Sequence, residues 1–476
     1  MKANTNSNNA DEKVILKKEL GFVGATSIVV GSIIGSGIFI SPKGVLENTG
    51  SVGLCLVVWT VAGVVSLGSG LCYAELGAMI GVSGGAYTYI RMGMGNVMAF
   101  IYVAKELLVR NSIGLLVMLL TFSKYLVSML PTCGSPQHLE KMIAALTLVF
   151  LFLINSYSSK LATRVSVLTT LGKVAALLVI CVGGVVVMVQ GVTSELLSGF
   201  SGTKSDATPI AMAFYNALWA YGGASFLNCL VEEVKCPDKN VPKSIVLGTV
   251  LVIFIYVMTN VSYLAVMTRS ELLQSDAVAA LFADRVLRNF SLLIPVAVMI
   301  STLGSTNNSM FGYSRVTFAA ARDGNLPDCL SYVHITQLTP FGALALTVTL
   351  TLLYLIPADL GEFINLGGFL DAFFEACVFL SMIRFRLQTM KDAHRPVKIP
   401  LIIPILMFLI NVYLFIAPVI IEPSLQYIYV AISIPALSIL LYIPLVYFQI
   451  KIPFHDEIVT RVQLIFELCP PTHEKF

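Results

Sequence analysis

The stretch Gly31-Ser32-Ile33-Ile34-Gly35-Ser36-Gly37-Ile38-Phe39 interrupts an apolar segment that runs from residue 20 to about residue 45. Glycines on both sides of Ser36 favour a break in the helix, which leaves backbone N–H and C=O groups without helical partners at a depth where water is absent. Such backbone is tolerated only where it is buried in protein or lines a cavity. The stretch therefore predicts a discontinuous helix beside a cavity.

The chemistry of this break favours a small charged ligand. A helix that restarts after the break points its N-terminal amides, the positive end of its dipole, into the cavity. A carboxylate can be held there without a side-chain charge, so we interpret the stretch as half of a site for a small anion or zwitterion. The alternative is a GxxxG-like contact between two closely packed helices.

A second break of the same kind lies in the sixth apolar segment, at Trp219-Ala220-Tyr221-Gly222-Gly223-Ala224-Ser225. Two glycine-interrupted segments in corresponding positions are typical of inverted repeats that hold a site near the membrane midplane between discontinuous helices. We therefore favour a binding site over a packing contact. The predicted fold class is all-α: a polytopic membrane protein with about twelve transmembrane helices in two inverted five-helix repeats, with helices 1 and 6 discontinuous.

The composition is that of a membrane protein. The chain has 476 residues, of which 57% are hydrophobic and 12% are charged, whereas soluble proteins average about 25% charged residues. Apolar runs long enough to cross a hydrocarbon core of about 30 Å recur along the chain. The net charge of +3 is too small to indicate a nucleic acid partner. We expect the lipid bilayer as surroundings and no signal peptide ahead of the first span.

The predicted spans divide the chain into five segments. These are a cytosolic N-terminal tail at 1–19, a first five-helix repeat at 20–190, a second at 208–383, helices 11 and 12 at 400–450, and a cytosolic C-terminal tail at 451–476. Lys and Arg are more frequent in the loops on the side of both termini, which places that side in the cytosol. The loop that contains Cys133 then lies outside. A solitary cysteine there indicates an intermolecular disulfide, and an unpaired loop thiol is the alternative.

Ionisable residues inside the predicted spans are candidates for function. The third span carries Lys105, Glu106 and Arg110. Glu106 and Arg110 are one turn apart, so an internal ion pair is the structural interpretation and a role in a permeation pathway is the functional one. Lys173 in the fifth span is too deep for its ammonium to reach the headgroups, which indicates a buried structural group or one that faces the site.

Four motifs together resemble the amino acid–polyamine–organocation superfamily and, within it, the light subunits of heteromeric amino acid transporters. The motifs are Ile33-Ile34-Gly35-Ser36-Gly37-Ile38-Phe39, Trp219-Ala220-Tyr221-Gly222-Gly223, Ala321-Arg322-Asp323-Gly324-Asn325-Leu326-Pro327 and Pro396-Val397-Lys398-Ile399-Pro400. The tail Leu468-Cys469-Pro470-Pro471 is similar to that of the cystine and dibasic amino acid light subunit. The resemblance implies a LeuT-like fold, a plasma-membrane location with the apical face as one option, and a disulfide from Cys133 to a single-span heavy-chain glycoprotein, with the rBAT type favoured.

The resemblance also implies roles for the residues at the two breaks. The substrate carboxylate would meet the amides around Ser36, and the substrate ammonium would meet carbonyl groups at the ends of the outer half-helices. Trp219 would close over the substrate as the outer gate, and Lys173 would stand in for a sodium ion, so that transport is sodium-independent. The substrate-binding residues implied in this way are Ile33, Ile34, Gly35, Ser36, Gly37, Trp219, Gly222, Ala224 and Ser225.

Two positions depart from the dibasic relative, which carries an acidic residue where this chain has Gly222 and a tryptophan where it has Ala224. Loss of the carboxylate removes the countercharge for a cationic side chain. Loss of the tryptophan opens apolar volume beside the substrate. We therefore predict an exchanger for neutral, large or aromatic L-amino acids, with cystine and dibasic amino acids as the alternative substrates.

Other classes of function fit the sequence less well. A channel would need a continuous polar pore lining, which two glycine breaks do not provide. A membrane enzyme would need acid–base or metal-binding residues at membrane depth, but the histidines fall in predicted loops or in the tail. We predict no enzymatic activity, no metal and no other cofactor. An amino-acid-sensing receptor remains compatible with the fold.

Overall fold

The computed structural model describes residues 20–82, 84–129, 137–157, 159–191, 194–204, 206–275, 277–287, 290–335, 337, 339–356, 360–420, 425–448 and 455–470. Helices make up most of these residues. The first half contains α1 (Phe22–Ile33), α2 (Gly37–Thr49), α3 (Val52–Ile80), α4 (Ala86–Met94), α5 (Asn96–Lys105), α6 (Ser112–Ser128), α7 (Gln137–Tyr157), α8 (Ser159–Val189) and α9 (Ser194–Leu197). A π-helical turn at Glu106–Asn111 joins α5 to α6.

The second half begins at the other discontinuous segment. Its α-helices are α10 (Ala207–Tyr221), α11 (Pro237–Val266), α12 (Arg269–Gln274), α13 (Val278–Val286), α14 (Leu293–Arg322), α15 (Phe341–Tyr354), α16 (Leu360–Arg384), α17 (Ile402–Ile420), α18 (Leu425–Tyr442) and α19 (His455–Phe466). 3-10 helices lie at Phe226–Glu233 and Asp328–Ser331, and π-helical turns lie at Phe385–Thr389 and Ile443–Tyr447. Strands β1 (Val333–His334) and β2 (Leu468–Cys469) form a two-stranded antiparallel sheet.

Five described helical stretches are long and apolar enough to cross a membrane, namely Val52–Ile80, Gln137–Tyr157, Leu168–Val189, Pro237–Val266 and Ile428–Tyr447. Helices α1 and α2 would add a sixth as one span bent by 42°. The described residues also include two shorter apolar helices, Phe341–Tyr354 and Ile402–Ala417. The number of crossings, the inverted repeat and the five chain segments stay predictions.

The two discontinuous segments lie in the interior of the packed helices. Helix α1 packs against α8 and α11, α2 packs against α10, and α11 also packs against α3. Where α3, α10 and α11 meet, the buried rings of Trp59, Tyr221 and Tyr256 lie 5.0 to 6.0 Å apart between centroids. This aromatic cluster packs the end of α10 against α3 and α11.

A short main-chain pairing also joins the two discontinuous segments. The amide of Leu20, just ahead of α1, donates to the carbonyl of Glu233 at 3.0 Å, and the amide of Lys235 donates to the carbonyl of Leu20 at 2.8 Å. The chain before the first break is thus hydrogen-bonded to the chain after the second.

A buried carboxylate connects α3 to the segment that follows α16. The side chain of Glu75 is 1% exposed and accepts hydrogen bonds from Arg386 Nε and from the backbone amide of Ile399, both at 2.9 Å. Arg395 Nε lies 3.4 Å from the same carboxylate. The guanidinium groups of Arg386 and Arg395 thus share the Glu75 carboxylate as their partner. This contact holds the segment after α16 against the end of α3.

We predict that Glu75→Ala destabilises the protein by about 3–5 kcal/mol, because removal of one partner leaves buried guanidinium charge uncompensated. The measurement is the thermal unfolding of the purified protein in detergent. Glu47→Ala, which removes an exposed carboxylate on α2, is the matched control. Equal unfolding midpoints for the two variants would show that the Glu75 contact contributes little.

Candidate functional site

The two helix breaks are in direct contact with each other. Gly223 has φ +120°, and a Cβ atom there would lie 2.7 Å from the carbonyl oxygen of Ser32. A Cβ atom on Gly37 would lie 2.5 Å from the Cα atom of Ala220. Both distances are shorter than real Cβ contacts, so the glycines are required for the close approach of the two backbones. The two stretches singled out in the sequence therefore come together in the fold.

At the first break, backbone groups of opposite polarity lie side by side. Helix α1 ends at Ile33, Ile34 leaves the helical conformation with ψ +97°, and α2 begins at Gly37. The last carbonyls of α1 and the first amides of α2 have no partners within their own helices. The carbonyl end attracts cations and the amide end attracts anions, because of the helix dipoles.

Side chains of neighbouring helices contact backbone carbonyl groups at both breaks. The Tyr256 hydroxyl on α11 lies 2.9 Å from the carbonyl oxygen of Ile33 and 3.2 Å from that of Ala220. Ser66 Oγ on α3 donates to the carbonyl of Tyr221 at 3.3 Å. A carbonyl oxygen has two lone pairs, so the Ile33 carbonyl can accept a further hydrogen bond.

The second break differs from a simple pair of α-helices. Helix α10 ends at Tyr221, where the Gly222 amide donates to the Trp219 carbonyl at 3.1 Å. The chain then continues as the 3-10 helix Phe226–Glu233 rather than as an α-helix. A 3-10 helix of this length is uncommon and its hydrogen-bond geometry is poorer, which is typical of functional hinges and of strained segments.

Lys173 on α8 lies next to the end of α1 at the first break. Its side chain is fully buried, and its ammonium donates to the carbonyl of Gly31 at 2.7 Å and to Ser305 Oγ at 2.6 Å. Ser305 Oγ in turn donates to the carbonyl of Ile34 at 3.1 Å. The lysine charge is therefore directed at the carbonyl end of α1, where its partners are a carbonyl and a hydroxyl group.

A cavity of about 250 Å³ adjoins both breaks. Most of the predicted substrate-binding residues line it, namely Ile33, Gly35, Ser36, Gly37, Trp219, Gly222, Ala224 and Ser225. The side chain of Ile34 is instead fully buried in the hydrophobic core. Cys133 lies outside the described residues.

Helices α5 and α16 and the π-helical turn contribute charged side chains to the same cavity. Lys105 Nζ lies 2.6 Å from Glu106 Oε1 and 2.7 Å from Asp371 Oδ1, and Arg110 also pairs with Asp371. The Arg110 to Glu106 contact expected from their spacing is longer, at 4.0 Å. Asp371 is thus the main partner of Arg110, and it was missed among the predicted site residues.

Glu375 also lines the cavity and was also missed. Its Oε1 atom accepts a hydrogen bond from the Tyr73 hydroxyl at 3.0 Å. The available signal was a pair of carboxylates four residues apart within the predicted second five-helix repeat, Asp371 and Glu375. Ionisable residues at membrane depth are candidates for function.

The arrangement combines backbone groups of both polarities with ionisable side chains around one cavity. Backbone amides can hold a carboxylate, and backbone carbonyls can hold an ammonium. Within the described part of the chain, no three His, Cys, Asp or Glu side chains are placed to hold a metal ion. The chemistry offered is that of binding a small zwitterion.

Comparison with known proteins identifies the family of the chain. The family described as amino acid permease matches residues 20–444. The chain is 37% identical to the human b(0,+)-type amino acid transporter 1 over 462 residues, which cover 96% of this chain and 94% of the relative. It is 40% identical to the human cystine/glutamate transporter over 83% of this chain and 79% of the relative.

A third relative is the rat large neutral amino acids transporter small subunit 2, which is 40% identical over 95% of this chain and 85% of its own length. All three named relatives are transporters rather than enzymes. The resemblance seen in the motifs is therefore confirmed. The chain belongs to the amino acid permease family, as a polytopic membrane protein that transports amino acids.

Proposed function

We propose that the chain is a sodium-independent exchanger of L-amino acids. The observation that carries the proposal is the contact between two helix breaks at one cavity, where backbone groups of both polarities are available. Every amino acid carries the same carboxylate and ammonium, so a backbone site recognises the whole class. Exchange requires that the empty protein reorients slowly around this site.

In the proposed complex, the substrate carboxylate accepts hydrogen bonds from the amides of Gly35, Ser36 and Gly37. The substrate ammonium donates to the carbonyl groups of Ile33, Trp219 and Gly222. The helix dipoles at the end of α1 and the start of α2 favour this orientation. The large flat side chain of Trp219, which lines the cavity, closes over the substrate as the outer gate.

Sodium independence is proposed from the position of Lys173. Its buried ammonium donates to the carbonyl of Gly31, next to the break, at 2.7 Å. A cation at this place stabilises the carbonyl end of α1, which is what a sodium ion would otherwise do.

For the side chain of the substrate, we propose a preference for large neutral and aromatic groups. Gly222 and Ala224 leave apolar space beside the second break, and Phe226 and Phe374 add apolar surface to the same cavity. Dibasic amino acids and cystine are the second candidates. The observation that favours dibasic amino acids is the presence of the Glu375 carboxylate in the cavity wall.

We also propose that the chain is a light subunit with both termini in the cytosol of a plasma-membrane complex. One relative is named as a small subunit, which supports a two-chain assembly. The proposed partner is a single-span heavy-chain glycoprotein of the rBAT type, bonded through Cys133. The apical membrane is the proposed face in a polarised cell.

The transport proposal is tested with the full-length chain in liposomes, by uptake of labelled tyrosine with internal amino acid present or absent. We expect uptake that requires internal substrate and is unchanged when choline replaces sodium. Uptake that proceeds equally into empty liposomes would contradict exchange, and uptake that needs sodium would contradict the role of Lys173.

We predict that Gly37→Ala abolishes binding and uptake of amino acids, because its Cβ atom would lie 2.5 Å from Ala220 Cα and would force the two breaks apart. Binding is measured as the thermal stabilisation of the purified protein by tyrosine. Gly21→Ala is the control, since no atom lies within 4 Å of a Cβ atom at that position. A monodisperse Gly37→Ala protein that still binds tyrosine would refute the proposed site.

We predict that Cys133→Ser removes a disulfide-linked complex with co-expressed rBAT on a non-reducing gel, while the reduced chains are unchanged. The control is Cys236→Ser, because Cys236 is an exposed free cysteine on the side that the proposed topology places in the cytosol. Persistence of the linked complex in the Cys133→Ser protein would mean that another residue forms the bond.

A further inference from the structure

Four charged side chains on one wall of the cavity neutralise one another. Lys105 contacts both Glu106 at 2.6 Å and Asp371 at 2.7 Å. Asp371 uses its second oxygen for Arg110. Two cations thus match two carboxylates, and each carboxylate already has a cationic partner. Neither Glu106 nor Asp371 is free to serve as countercharge for a substrate.

Glu375 is the carboxylate in this wall without a cationic partner among the described residues. It follows Asp371 by one turn of α16 and so lies on the same helix face. Its Oε1 atom accepts from the Tyr73 hydroxyl at 3.0 Å, while its Oε2 atom is buried and has no hydrogen-bond partner in the described structure. An ionised carboxylate in this position gives the cavity one uncompensated negative charge, which is costly away from bulk water.

The surroundings of Glu375 come from several elements. The charged groups that line the cavity with it are Lys105, Glu106, Arg110 and Asp371. The neutral titratable groups are Tyr73 on α3, Tyr102 on α5, Tyr215 and Tyr221 on α10, Tyr313 on α14 and Cys229 on the 3-10 helix. From α4 and α17, which also pack against α16, the lining residues are uncharged. A positive charge that balances an ionised Glu375 therefore has to be located in the cavity itself.

We propose that Glu375, held by Tyr73, is a cation subsite for the side chain of the transported amino acid. The subsite takes the ammonium or guanidinium group of a dibasic substrate whose carboxylate and α-ammonium occupy the helix breaks. When the substrate is neutral, a proton from the same side of the membrane binds the Glu375 carboxylate instead. This inference rests on the proposed exchange function and names the residue that decides between its two substrate classes.

The subsite has a consequence for charge movement. A dibasic substrate brings one positive charge to the cavity, and a neutral substrate brings none but is accompanied by one proton. Exchange of internal arginine for external tyrosine then carries one proton inward for each arginine that leaves, so no net charge crosses the membrane. Exchange of arginine for arginine moves no proton.

The test uses the full-length chain in proteoliposomes that contain arginine and a fluorescent pH indicator. We expect external tyrosine to acidify the interior and external arginine to leave the internal pH unchanged. We expect Glu375→Gln to lower the ratio of arginine to tyrosine uptake at least about tenfold, because the guanidinium loses its countercharge. Tyr73→Phe, which keeps the carboxylate, is expected to lower the ratio less.

Glu47→Gln is the control, because it makes the same chemical change on an exposed residue of α2. An unchanged arginine to tyrosine ratio in the Glu375→Gln protein overturns the cation subsite, and tyrosine uptake without internal acidification overturns proton binding. If Glu375→Gln abolishes all uptake, thermal stabilisation of the purified variant by arginine as strong as in the unmodified protein overturns the subsite. Absence of any exchange in the unmodified protein would instead refute the proposed function itself.

Discussion

The arrangement of this protein depends on how it satisfies the backbone at two interrupted helices in apolar surroundings. Unpaired carbonyl and amide groups are costly there, so each needs a partner or a ligand. Tyr256, Ser305 and Lys173 provide partners for carbonyl groups around the first break, and Ser66 does so for the second. Both breaks retain accepting and donating capacity toward the cavity, and that capacity is what a zwitterion can use.

In the proposed function, the backbone of the two breaks recognises the constant part of an amino acid, and side chains recognise its variable part. Both sets of groups line the same cavity, and α5 and α16 contribute some of the side chains. Substitution of those side chains can then alter substrate choice while the backbone groups are preserved. Two of the named relatives, whose names refer to cystine and glutamate and to large neutral amino acids, are both similar to this chain over most of its length.

The sequence was informative wherever a local pattern has one physical meaning. Glycine pairs in apolar segments predicted both breaks, and their spacing predicted that the breaks meet. It was less informative where contacts join distant residues: Tyr256 is 223 positions from Ile33, and Lys105 is 266 positions from Asp371. Helix spacing predicts pairs only within one span, so the predicted partner of Arg110 was Glu106, whereas its closer partner is Asp371 on α16. No local sequence pattern predicted the 3-10 helix that follows Tyr221.

The pairing of Leu20 with Glu233 and Lys235 constrains how the protein can move. A displacement that carries α1 and the 3-10 helix together keeps both hydrogen bonds, whereas one that separates them must break both. The donors and acceptors are main-chain atoms, so the link persists under nearly any substitution, and proline alone would remove a donor. The stiffness of this part of the molecule therefore depends on main-chain hydrogen bonds rather than on particular side chains. It can be inherited while the surrounding sequence changes.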